Sequence, residues 1–143
     1  MTASDRPIGY WLKHLDNLLE RHFEAALADL GLDRRQWQVL NTLASGGLGR
    51  AALQDALAPF WTADGPGAAE VLARLAVRGW LLDGPGDGLA LTEAGRTAHT
   101  DVLARVKADR AVVVTGLTGE QYTQTLRVLS VMAGNVEAAL AAR

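Results

Sequence analysis

Two short apolar runs, Trp80-Leu81-Leu82 and Leu89-Ala90-Leu91, flank six residues, Asp83 to Gly88, made only of Asp, Gly and Pro. That is the pattern of two strands joined by a turn-rich loop. It stands alone in a chain whose other apolar residues recur at helical spacing, so one hairpin has to be fitted among helices. From Ile8 to Leu30 the large apolar residues fall at Ile8, Trp11, Leu12, Leu15, Leu18, Leu19, Phe23, Leu27 and Leu30, the face of one amphipathic helix. Gly31 ends it as a left-handed cap, and Asp33 opens a second helix with Gln36 three residues on, a capping-box start. The second helix carries Trp37, Val39, Leu40 and Leu43 to the Ser45-Gly46-Gly47 break, and Arg50 to Leu57 forms a third, stopped at Pro59. A fourth, longer helix is expected with Asp64 as its cap, running through Val71, Leu72, Leu75 and Val77 to Gly79, its first turn weakened by Gly65-Pro66-Gly67. After the hairpin, Thr92 caps a fifth helix that reaches Val113 and breaks near Gly116. Thr118 and Gln121 box the start of a sixth, with Tyr122, Leu126, Leu129, Ala133, Val136 and Leu140 in a heptad-like seam.

A helical triplet followed by a two-stranded wing is the winged form of the helix-turn-helix, in which the helix before the hairpin is offered to DNA. The fold class is therefore mainly α with a small β-hairpin wing: a winged helix-turn-helix lobe plus terminal dimerisation helices. At 143 residues the chain is one domain, 1–143, divided into a lobe, 31–95, and terminal helices, 5–30 and 96–143. The apolar faces of the terminal helices exceed what so small a lobe can cover, which predicts a homodimer knitted through them.

Composition removes most other functions. Without cysteine there is no disulfide, thiolate metal site or cysteine nucleophile. His14, His22 and His99 lack the spacing of a zinc site, and they read as solvated or interface histidines. No nucleophile elbow or phosphate loop is present, so we expect no enzyme and no cofactor. The longest uncharged stretch, Gln36 to Gly49, is 14 residues and includes Gln36, Gln38, Asn41 and Ser45, too short and too polar to span a membrane. The N-terminus has scattered charges and no apolar block, which implies a cytoplasmic protein.

Three segments carry a family resemblance. Leu32-Asp33-Arg34-Arg35-Gln36-Trp37-Gln38-Val39-Leu40 resembles the second-helix opening of the MarR family of bacterial transcription regulators. Val71 to Leu81 resembles that family's recognition-helix end and first wing strand, and Leu91-Thr92-Glu93-Ala94-Gly95-Arg96 the motif that follows the wing. The resemblance implies a homodimer with intertwined terminal helices on a pseudo-palindromic double-stranded DNA site, often with a small aromatic effector controlling release.

Laid on the family pattern, Gly65, Pro66, Gly67 and Glu70 take the positions that usually carry side chains toward bases and phosphates. None suits a base edge, and Glu70 is expected to pair with Arg74 four residues on. From Gly31 to Gly95 five arginines and no lysine face seven acids, and the wing tip has two acids and no base, so weak DNA binding is expected. The candidate DNA contacts are Arg50, Gln54, Thr62, Arg74 and Arg78, while Arg34 and Arg35 read as a solvated helix start. Trp11, His14 and Trp37 are the candidate ligand contacts, in a crevice between helices one and two. Trp61 is expected to pack under the lobe, together with Phe60. The alternative is a winged-helix dimer with degenerate DNA reading that binds a ligand or a protein.

Overall fold

The computed structural model describes residues 5–83 and 88–143, so residues 84–87 of the wing tip, Asp87 of the expected pair of acids among them, lie outside the described residues. Six α-helices and three short strands follow in the order α1 (Ile8–Asp29), α2 (Arg34–Leu43), β1 (Leu48–Gly49), α3 (Arg50–Leu57), α4 (Ala68–Val77), β2 (Leu81–Asp83), β3 (Gly88–Leu91), α5 (Glu93–Val113) and α6 (Gly119–Ala141). The caps do what their residue types dictate. Gly31 and Gly79 take positive φ, 77° and 80°, just past α1 and α4, a conformation that costs glycine nothing. Asp33 Oδ1 accepts from the Gln36 backbone N–H at 2.8 Å while Gln36 Oε1 accepts from that of Asp33 at 3.1 Å, so the predicted box is complete. Thr118 and Gln121 close the same box on α6, at 3.0 and 2.9 Å.

Two expectations need correction. Helix α4 does not start from Asp64: its N-cap is Gly67, which has no side chain to offer, and at ten residues it is no longer than α2. Pro66 accounts for this, because its ring disfavours helical backbone at Gly65 and pushes the helix start beyond it. The sheet also has a third strand. β1 pairs antiparallel with β3, Leu48 opposite Leu89, and β2 pairs on the other side, Leu81 opposite Leu91, giving the order β1-β3-β2. Two residues are too few to show period-two alternation, so β1 left no readable pattern.

By its contacts the chain forms two compact units, Met1–Lys107 and Ala108–Arg143. The first holds the core. Leu27 of α1, Val39, Leu40 and Leu43 of α2, Leu53 and Leu57 of α3, Val71, Leu72 and Leu75 of α4, Leu89 and Leu91 of β3 and Val102 of α5 are all buried together. The wing base is fixed to α5 by Thr92, whose Oγ1 donates to the Gly79 carbonyl at 2.6 Å and accepts from the Gly95 N–H at 3.0 Å. In contrast, Ile8, Trp11, Leu12, Leu15, Leu18 and Leu19 of α1 stay exposed. The second unit consists of the end of α5 and α6, and no residue of α6 is buried.

Candidate nucleic-acid interface

Helix α4 buries Val71, Leu72 and Leu75 and turns Ala69, Glu70, Ala73, Arg74, Ala76 and Val77 outward, Val77 with 89% of its surface exposed. Glu70 and Arg74 form the expected pair, Arg74 donating to Glu70 Oε1 at 2.8 Å. An exposed pair at this spacing contributes only about 0.3–0.5 kcal/mol, so Arg74 can leave it for another anion at little cost. Beside α4 lies a cleft of about 210 Å³ lined by Arg50, Ala69, Leu72, Ala73, Ala76, Leu81 and Leu89. Arg50 opens α3 there, and Gln54 is exposed one turn further on. Thr62 is exposed in the turn before α4. Arg78, one turn beyond Arg74, donates to the Gly31 carbonyl and lies 3.8 Å from the centre of the Trp80 ring. Arg50 thus lines the cleft beside α4, Arg74 lies on the helix and Arg78 caps its end, while Gln54 and Thr62 are exposed on α3 and in the turn before α4.

The expectation of a solvated start to α2 fails for both arginines. Arg34 pairs with Glu20 at 2.6 Å and Glu24 at 3.7 Å and lies over the Phe23 ring, so it ties α2 to α1. Arg35 donates to the carbonyls of Thr62 at 2.9 Å and of Pro66, and sits 4.9 Å over the Trp61 ring. Trp61 in turn donates to Gln38 Oε1 at 2.6 Å and packs against the core, whereas Phe60 is 70% exposed. Only half of the Phe60-Trp61 expectation therefore holds.

The proposed ligand contacts do not all meet. Trp11 makes an edge contact with Tyr10, at 5.2 Å between ring centres, and a tilted one with His14 at 6.3 Å. Trp37 lies instead against Phe23 at 6.4 Å and is stacked on His99 at 5.1 Å and 12°. Phe23 is nine residues beyond His14 on the same helix, which places it about 13 Å along the axis. His99 Nε2 is bonded to Asn41 Oδ1 at 2.9 Å, and burial holds its pKa below the ordinary imidazole value. Sequence inspection missed His99 as the partner of Trp37, because nothing local links residues on α5 and α2. Among the described residues no cluster of acids and histidines could hold a metal.

No family model matches the chain, and no curated protein matches it. Solved structures do. The Mycobacterium tuberculosis MarR family protein Rv2887 is 30% identical, over 92% of this chain and 97% of its own, with a TM-score of 0.69. The chain belongs to the MarR family. The same protein solved in complex with DNA matches this MarR-family chain at 28% identity over 89% of it and 98% of the other, TM-score 0.66. MepR of Staphylococcus aureus, a transcription regulator of a multidrug efflux pump, superposes at TM-score 0.78 over 92% of this chain and 99% of its own, and at 17% identity shares the fold. In this MarR-family fold α2, α3 and α4 with the sheet form the winged-helix lobe.

Proposed function

We propose that this MarR-family chain is a cytoplasmic, homodimeric transcription regulator, and not an enzyme, that binds double-stranded DNA by laying α4 in the major groove. The observation that carries the reading is α4 itself, a helix that buries one face in the lobe core, turns the other outward and is flanked by a wing, in a chain 28% identical to a protein solved on DNA. Arg50, Gln54, Thr62, Arg74 and Arg78 are the proposed contacts, the arginines to phosphates. The lobes of two copies would read half-sites one helical turn apart, ~34–36 Å. The second copy is proposed to cover the apolar faces of α1 and α6, which the chain leaves exposed.

An aromatic effector is proposed to lie against Trp37, with Trp11 and His14 on the α1 face near the pairing surface. Support comes from Rv2887, 26% identical, which has been solved with p-aminosalicylic acid. Such a ligand acts only through unequal affinity for two spacings of the lobes. No described helix is long and apolar enough to cross a membrane. The test is fluorescence anisotropy with duplex from the gene's own upstream region. Binding should weaken steeply with salt, each neutralised phosphate adding about 0.9 to the log–log slope. Absent or salt-independent binding refutes the proposal.

A second reading rests on the outward face of α4, which carries alanines, a valine and one closed ion pair. Such a face suits a dimer that binds a small molecule or a protein in place of DNA. Arg74→Glu separates the two readings. It abolishes duplex binding under the first and leaves ligand binding intact under the second.

A further inference from the structure

Arg35 is the second residue of α2, where the positive end of the helix dipole disfavours a cation. What holds it there lies outside its own helix. Its guanidinium donates to the Thr62 carbonyl at 2.9 Å and to the Pro66 carbonyl, comes within 3.4 Å of Thr62 Oγ1, and covers the Trp61 ring. A second tie from α2 reaches the same segment, the Trp61 N–H bonded to Gln38 Oε1. Gly65 completes the arrangement, because a Cβ at that position would fall on the Arg35 guanidinium carbon and both its terminal nitrogens. Gly65 does not have the positive φ that would demand glycine for backbone reasons. The space that excludes a side chain there is the space Arg35 fills.

We propose that Arg35 is a positioning residue for α4: by gripping the turn at residues 61–67 it fixes where the helix begins and how its outward face is presented. Helix α4 has no lock of its own at that end, since its N-cap, Gly67, makes no side-chain bond. The planar guanidinium suits the task because it can serve two carbonyls and lie flat on an indole at once, which a lysine ammonium cannot do. The proposal rests on the reading of α4 as the DNA-facing helix, and it adds a role for an arginine that would not itself touch DNA.

The probe is the set of duplexes that the native chain retains from a random-sequence library, with affinity read by anisotropy. Arg35→Lys should weaken binding about tenfold while the folded dimer persists, and shift the indole N–H resonance of Trp61. Gly65→Ala, which displaces a flexible side-chain end and not backbone, should do the same in the native background. In an Arg35→Ala background it should add less than about twofold, because the group it displaces is already gone. Native affinity in Arg35→Lys, with only a lower melting temperature, overturns the proposal, as does an equal Gly65→Ala effect in both backgrounds. If the native chain retains no duplex at all, the DNA reading falls and the positioning role falls with it. If it binds and tolerates Arg35→Lys, only the positioning role is lost.

Discussion

Gly95 shows how one residue can join two elements. It is buried at the start of α5, and a Cβ there would lie on the Trp80 carbonyl oxygen, which is backbone and cannot swing aside. Gly95→Ala should therefore destabilise the chain by about 1–3 kcal/mol, read as a lower urea midpoint at an unchanged slope. The effect of Arg74→Glu should be the reverse in kind. It breaks an exposed pair and sets two acids one turn apart, two small effects that together cost about 0.5–1 kcal/mol of stability, yet it should remove duplex binding. The sequence made some of these residues plain, since Asp33, Thr92 and Thr118 cap the helices that follow them within three residues of their partners. Arg35, Arg78 and His99 were not legible, because the groups they bind lie 27 to 58 residues away in the chain and only the fold brings them together.

At the scale of elements, helices long enough to show a face were readable, and contacts between them were not. The apolar spacing of α1 announced the helix and its excess hydrophobic surface. It did not announce that Trp37 of α2 would stack on His99 of α5. That contact makes the packing of α2 on α5 sensitive to acid. Burial lowers the folded-state pKa of His99, so the unfolded chain binds the proton more readily, and stability is retained above the ordinary imidazole value of about 6.5 and lost as pH falls below it toward the folded pKa. Melting curves between pH 8 and 5 should show this loss, and it should be smaller in His99→Gln; an identical pH profile for both proteins would remove the His99 account. The face of α1 makes its own prediction. Leu15→Glu places a charge among exposed leucines without touching the lobe core, so it should split the proposed dimer while leaving the helical circular dichroism of the chain near native.

For the molecule as a whole, the apolar surface is divided unevenly. The lobe buries its own core, whereas the first half of α1 and all of α6 leave large apolar side chains uncovered. If a second copy covers them, the melting temperature must rise with protein concentration, as it does for any assembly that binds only the folded chain. In the proposed dimer the same pairing sets two α4 helices at one fixed separation, which would let a lobe with few arginines read DNA. Selection of duplexes from a random library by the native chain, followed by a count of chains per recovered duplex, tests that claim most directly. The expected result is a twofold motif with half-sites about one helical turn apart and two chains on each duplex. An unsymmetrical motif occupied by a single chain, or no enrichment, would contradict it.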